Sequence, residues 1–229
     1  MYLGFVNMNA GFLIIIAAML LGLAARSMVT GTFKRFSRVA TGRGLSGARV
    51  AREILDSYGL ANIDIQETRG QLTDHYDPRR GVLRLSSGVY SGNSVSAVGV
   101  AAHEAGHAVQ DAMGYSPFRL RQKLVPVASL GSQMLFPLII GGFFFNMTQL
   151  YYVGAALYAA ALLFQLVTLP VEFDASRRAV VYLRKSGNMT DTELGGVKKV
   201  LTAASLTYVA AALASLGQMV WLLLAGRRR

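Results

Sequence analysis

His103, Glu104 and His107 are the residues whose types and spacing carry the clearest chemistry in this chain. They form a His-Glu-x-x-His run. Residues four apart share one face of an α-helix, so both imidazoles can take corners of a tetrahedral metal site. Glu104, beside that face, is then placed to take a proton from a water that the metal acidifies while it polarises a carbonyl. So short a pattern also arises by chance, and the alternative is a helix with two core or solvated histidines and an ordinary surface glutamate. The chain has only three histidines, however, and two of them lie in the motif.

A helix must present these side chains, and its signals are present. Asn93 or Ser94 can cap it, Val95 to Met113 contains no proline, and Gly114 suits the left-handed residue past its end. Gly99, Ala101, Ala105 and Gly106 allow close packing, while His103, Glu104, His107, Gln110 and Asp111 are polar residues that an otherwise apolar helix must explain.

Catalytic zinc usually takes three protein ligands and a water. There are no cysteines, so the third ligand is either His75 or a carboxylate. Glu172 is the strongest candidate. It follows Pro170 and closes a stretch of 48 residues, 124–171, without a charged side chain. Two membrane helices joined by a short turn would bring it back to the side of His107.

That stretch sets the class of the protein. With 53% hydrophobic residues and a mean hydropathy of +0.40, the chain reads as a membrane protein with a modest polar part. Four apolar segments are candidate spans. Gly11 to Ala25, extendable over Tyr2 to Asn9, is the first. The 124–171 stretch supplies two, with a turn at Asn146–Gln149 and interfacial Tyr151 and Tyr152. Ala203 to Ala225, with Trp221 near its end, is the fourth. The first segment lacks a basic region before it, which favours an anchor over a cleaved signal peptide.

The net charge of +11 is distributed by topology rather than for nucleic acid, since no aromatic residues interleave the basic ones as a stacking platform. Of the 23 Lys and Arg, 20 lie in segments 26–127 and 171–200. The positive-inside bias makes those segments cytoplasmic, and such a surface suits anionic headgroups. Arg227 to Arg229 conflict with this, because four spans from an outside N-terminus leave them outside.

The expected fold is a mainly α membrane protein: about four transmembrane helices plus a small α+β domain. The divisions are an anchor over 1–26, a membrane-surface domain over 27–123 and a transmembrane hairpin over 124–171. A helix and basic loop over 172–202 and a final span over 203–229 complete it. Thr30 to Leu45 reads as a juxtamembrane linker. Ser46 can cap a helix carrying Val50, Ala51, Ile54, Leu55 and Tyr58 on one face and ending at Gly59. Ile63 to Ile65 and Val82 to Leu85 read as strands of a small antiparallel sheet, with a turn at Asp77–Gly81.

The runs Asp74-His75-Tyr76-Asp77-Pro78, Leu83-Arg84-Leu85-Ser86, Val89-Tyr90, Ala101 to Gln110 and Leu169 to Ser176 together resemble the bacterial YugP-like neutral zinc metallopeptidases, over nearly the whole chain. More distantly the chain is similar to HtpX-type membrane proteases and CAAX prenyl proteases, which are gluzincins. The resemblance implies that His103, His107 and Glu172 bind one zinc ion per chain and that Glu104 is the general base. It also implies a bacterial protein that hydrolyses peptide bonds of membrane-associated proteins or peptides. With the apolar segments and the basic bias, the expectation is a multi-pass protein of the inner membrane with its active site facing the cytoplasm.

In the distant relatives an Asp four residues after the Glu supports the site, whereas here that position is Ser176. Asp174 lies about 200° around a helix from Glu172 and faces elsewhere. Support for a ligand histidine must then come from a group other than an acid at that position, for which Ser176 itself and Asp111 are candidates. His75 is either an oxyanion donor or a structural turn residue. Val82, Leu83, Arg84 and Leu85 are a candidate edge strand for an extended substrate.

Two other functions compete. A site-2-type intramembrane protease would carry a later Leu-Asp-Gly motif, which does not occur. A catalytically inactive scaffold is disfavoured by Glu104 and Glu172. Substrate identity, oligomeric state and any regulatory membrane partner are not encoded in readable form.

Overall fold

A computed structural model describes residues 2–145 and 147–226. Asn146 of the expected turn and the Arg227–Arg229 cluster lie outside the described residues. The chain divides into two compact units.

One unit comprises residues 27–119 and 170–205. Helix α2 (Gly47–Ser57) starts where the Ser46 hydroxyl accepts the Arg49 amide, and it buries Val50, Ala51, Ile54 and Leu55. Its close approach to the core needs a glycine, since a Cβ on Gly47 would stand 2.2 Å from the Val89 carbonyl oxygen. Tyr58 falls outside the expected face. It is the C-cap, beyond the last helical turn, and it is exposed.

Strands β1 (Asp64–Thr68), β2 (His75–Asp77) and β3 (Val82–Ser86) form a sheet in the order β1-β3-β2. The sheet is mixed rather than antiparallel. β3 runs parallel to β1 and antiparallel to β2, because the chain between β1 and β3 carries β2 to the far side of β3. Val82, Leu83, Arg84 and Leu85 are therefore not an edge. Val82 to Arg84 are paired with a strand on each side, so their main chain cannot also pair with a substrate. Leu83 and Leu85 are buried against the core, and Val82 and Arg84 occupy the opposite face.

A short helix, α3 (Ser87–Tyr90), leads into α4 (Val95–Ala112). Ser94 caps α4 by accepting the Ala97 amide, and Gly114 past its end has φ +67°. α4 is buried nearly throughout, packed on α2, the sheet and α3. The same core contains Ala179, Leu183, Leu194, Val197 and Leu201, from later in the chain.

The other unit comprises residues 1–26, 120–169 and 206–229, and its described residues are helical except Phe145 and Met147. Tyr151, Ala155 and Leu222 form a small buried cluster there. A Cβ on Gly154 would meet Leu222 at 3.2 Å.

Four long helices contribute to both units: α1 (Tyr2–Phe36), α5 (Ser116–Phe144), α6 (Thr148–Lys185) and α7 (Asp191–Gly226). α1 overturns part of the expected linker, since Thr30 to Phe36 continue the helix without a break. Pro170 sits inside α6, so the boundary expected at 171 falls within a helix, as does the one expected at 202, within α7. α7 begins with a capping box: Thr190 Oγ1 accepts the Glu193 amide while Glu193 accepts the Thr190 amide.

Among the described residues, three helices are long and apolar enough to cross a membrane: Leu13–Phe36, Gln149–Lys185 and Asp191–Leu224. α5 is 29 residues long and holds Pro126 and Pro137.

Candidate metal centre

The chemistry gathers where α4 meets the later part of α6. Gly106 permits the meeting, since a Cβ there would lie 3.0 Å from the Ala175 carbonyl oxygen. One helical turn around that contact, His103 and His107 face Glu172. His103 Nε2 is 3.2 Å from Glu172 Oε2, and His107 Nε2 is 3.7 Å from Oε1. The two rings meet edge to face at 4.7 Å.

All three side chains are buried, and one ligand atom from each lies within 4.8 Å of the others. Two imidazole nitrogens and a carboxylate are a donor set that catalytic zinc takes. Donors ~2.0–2.2 Å from one tetrahedral centre stand roughly 3.3–3.6 Å apart, the scale on which the two histidines approach the two oxygens of Glu172 at 3.2 and 3.7 Å. Glu104 differs from its neighbours. Between Ala101 and Gln110 it alone is not buried, which leaves its carboxylate within reach of water.

Both histidines are held from behind. The Ser176 hydroxyl lies 3.1 Å from His103 Nδ1, so the residue standing where an acidic one was sought itself supports a ligand. His107 Nδ1 lies 2.9 Å from Gln110 Oε1. Gln110 Nε2 in turn donates to the Val171 carbonyl at 2.8 Å and to Asp174 Oδ2 at 2.9 Å. Asp174 is bound by Arg178 and, less closely, by Arg177.

Asp174 does turn away from the ligands, yet it reaches one of them through an amide. Sequence reasoning noticed Gln110 as a polar residue needing an explanation without assigning it. Its signal was the spacing of three from His107, which puts both on one face.

Asp111 takes a different part from the one expected. It accepts the Tyr76 hydroxyl at 3.0 Å rather than supporting His107. Burial, followed by the charge of Asp111 and its hydrogen bond, holds the Tyr76 hydroxyl well above the usual tyrosine range, so it stays a donor. The Tyr76 ring faces Phe118, and Phe118, fully buried, lies 6.0 Å from His107. These rings give the centre an apolar wall. His75 is exposed on β2 and bonds the Thr73 carbonyl at 2.8 Å, and it is not part of the buried group.

Two buried histidines and a buried glutamate, with a second, less buried glutamate on the histidines' helix, are a group that could hold a metal ion, of the donor types catalytic zinc takes. Comparison with known proteins gives the family. The chain belongs to the family described as "Putative neutral zinc metallopeptidase", whose profile matches residues 11–227. It is 46% identical over 205 residues to the protein named "Putative membrane protease YugP" of Bacillus subtilis (strain 168), covering 90% of this chain and 91% of that protein. No solved structure matches the chain.

Proposed function

We propose that this protein is a membrane-embedded zinc metalloendopeptidase that hydrolyses peptide bonds of membrane-associated proteins or peptides. The observation that carries this reading is the buried His103–His107–Glu172 group, with the only partly buried Glu104 next to His103 on the same helix. His103, His107 and Glu172 would hold one zinc ion. When bound, zinc supplies a Lewis acid that lowers the pKa of a water and polarises the scissile carbonyl.

The chain's own part is proton transfer and positioning. Glu104 accepts a proton from the attacking water as the water oxygen bonds to the carbonyl carbon, then passes it to the departing amine nitrogen as the C–N bond breaks. Phe118 and the Tyr76 ring limit water around His107, which strengthens electrostatic effects there.

Four spans are proposed: the three apolar helices plus α5, in a bacterial inner membrane with the catalytic side cytoplasmic. The basic distribution supports this orientation, since Arg227 to Arg229 are outvoted by the twenty Lys and Arg of segments 26–127 and 171–200. A gluzincin-type fold fits the Glu172 ligand on a later helix. Zinc-dependent cleavage of a membrane-protein substrate by purified protein, lost on chelation and restored by zinc, is the expected result. A zinc-loaded wild type without turnover on such substrates would point to the scaffold alternative.

A further inference from the structure

We infer that Gln110 is the positioning residue of the metal centre, acting on two of its ligands through one amide group. The inference rests on the reading of His103, His107 and Glu172 as the metal site, but it does not depend on which reaction the site performs.

The terminal atom of Gln110 that faces Val171 O and Asp174 Oδ2 has acceptors on both sides, at 2.8 and 2.9 Å. A carbonyl oxygen and a carboxylate cannot donate, so that atom is the NH₂ and both of its hydrogens are used. The oxygen of the amide must then face His107 Nδ1, 2.9 Å away, and it can only accept. His107 is thereby fixed in the tautomer with hydrogen on Nδ1, which leaves the Nε2 lone pair directed towards the Glu172 side.

The second action is on Glu172. Val171, whose carbonyl takes one amide hydrogen, is the residue immediately before it. The same side chain therefore ties the backbone of the α6 turn carrying Glu172 to the α4 turn carrying His107. Asp174 and Arg178 hold the amide in its orientation from behind, since a flipped amide would set its oxygen against the carboxylate. Gln110 itself is fully buried, so water does not compete for these bonds.

The full-length protein in detergent tests this. Gln110→Met keeps the side-chain length and removes all three hydrogen bonds, whereas Asp174→Asn keeps an acceptor but removes the charge that holds the amide. Zinc affinity is measured by competition with a chromogenic chelator, the ligand field by the absorption spectrum of the cobalt-substituted protein, and folding by melting of the zinc-free protein.

Gln110→Met should weaken zinc binding roughly 10–100-fold and alter the cobalt spectrum of the folded protein, beyond the lower zinc-free melting that loss of three buried hydrogen bonds brings by itself. Asp174→Asn should act in the same direction, severalfold. A purely structural role would lower the zinc-free melting temperature and leave the cobalt spectrum of the folded fraction unchanged, which overturns the inference. Unchanged zinc affinity in Gln110→Met overturns it equally. Should Gln110→Met fail to fold, Asp174→Asn decides by the same zinc and cobalt readings, unchanged values again overturning it. Absence of peptidase turnover in wild type would defeat the proposed function while leaving these metal measurements intact.

Discussion

At the scale of single residues, the roles proposed for Glu104 and Glu172 can be tested separately, one by turnover and the other by metal retention. Glu104→Gln should keep zinc and lose roughly 10²–10⁴-fold in peptide hydrolysis, since glutamine cannot take the proton of water. Undiminished turnover with zinc still bound would remove Glu104 from the mechanism. Glu172→Ala should lose most of the zinc, measured per chain by elemental analysis. Full occupancy in that variant would mean that another residue completes the site. Tyr76 gives a pH-dependent test. Its hydroxyl keeps its proton in the fold to higher pH than in the unfolded chain, where tyrosine titrates near 10.0. The folded state thus binds more protons above that pH, and the stabilisation, complete below it, is lost as pH rises through the alkaline range. Melting followed from pH 8 to 11 should therefore fall less steeply for Tyr76→Phe than for wild type.

At the scale of elements, the centre depends on how closely α4 approaches α6. Gly106→Ala would set a Cβ 3.0 Å from a backbone oxygen that cannot rotate away. Separating the helices should cost on the order of 1–3 kcal/mol and weaken zinc binding, because Glu172 recedes with α6. Gly195, in α7, is the control: a Cβ there meets nothing within 4 Å. Gly195→Ala should stabilise by ~0.5–1 kcal/mol through helix propensity and leave zinc affinity alone. If both alanine variants bind zinc as wild type does, the close approach does not position the site. The helices themselves were largely legible: Ser46, Ser94, Gly59 and Gly114 act at the termini where their side-chain and backbone preferences place them. The strand order was not. Alternation in Val82 to Leu85 reports which side chains face the core, but it carries no information on the strands that pair on either side.

At the scale of the whole molecule, topology is the open test. Single cysteines at positions 46, 146 and 186 can be labelled in intact cells, as the native chain has none. The proposed orientation expects the cysteine replacing Asn146 to react with an impermeant reagent and those replacing Ser46 and Ser186 to stay protected. The reverse pattern would put the peptidase site outside the cytoplasm. Similarity over 90% of the chain to a protein named as a membrane protease, together with three apolar helices, fits membrane association. The exposed apolar side chains of α1, among them Leu13, Met19, Leu20 and Leu23, are what a lipid-facing helix presents.

The sequence by itself determined the local chemistry. The spacing of His103 and His107 is a property of one helix, and the charge-free run ending at Glu172 is a property of composition, so both could be read without knowing the fold. Tertiary structure alone decided how the ligands are held. Ser176 reaches His103, 73 positions away in sequence, across the contact between α4 and α6, and Gln110 reaches Asp174 and Val171, 64 and 61 positions away, across the same contact. A hydrogen bond between distant segments leaves no periodic trace, because neither partner's own helix needs it. The Asp174–Gln110–His107 connection and the central position of β3 thus became visible only when α4, α6 and the strands were placed side by side.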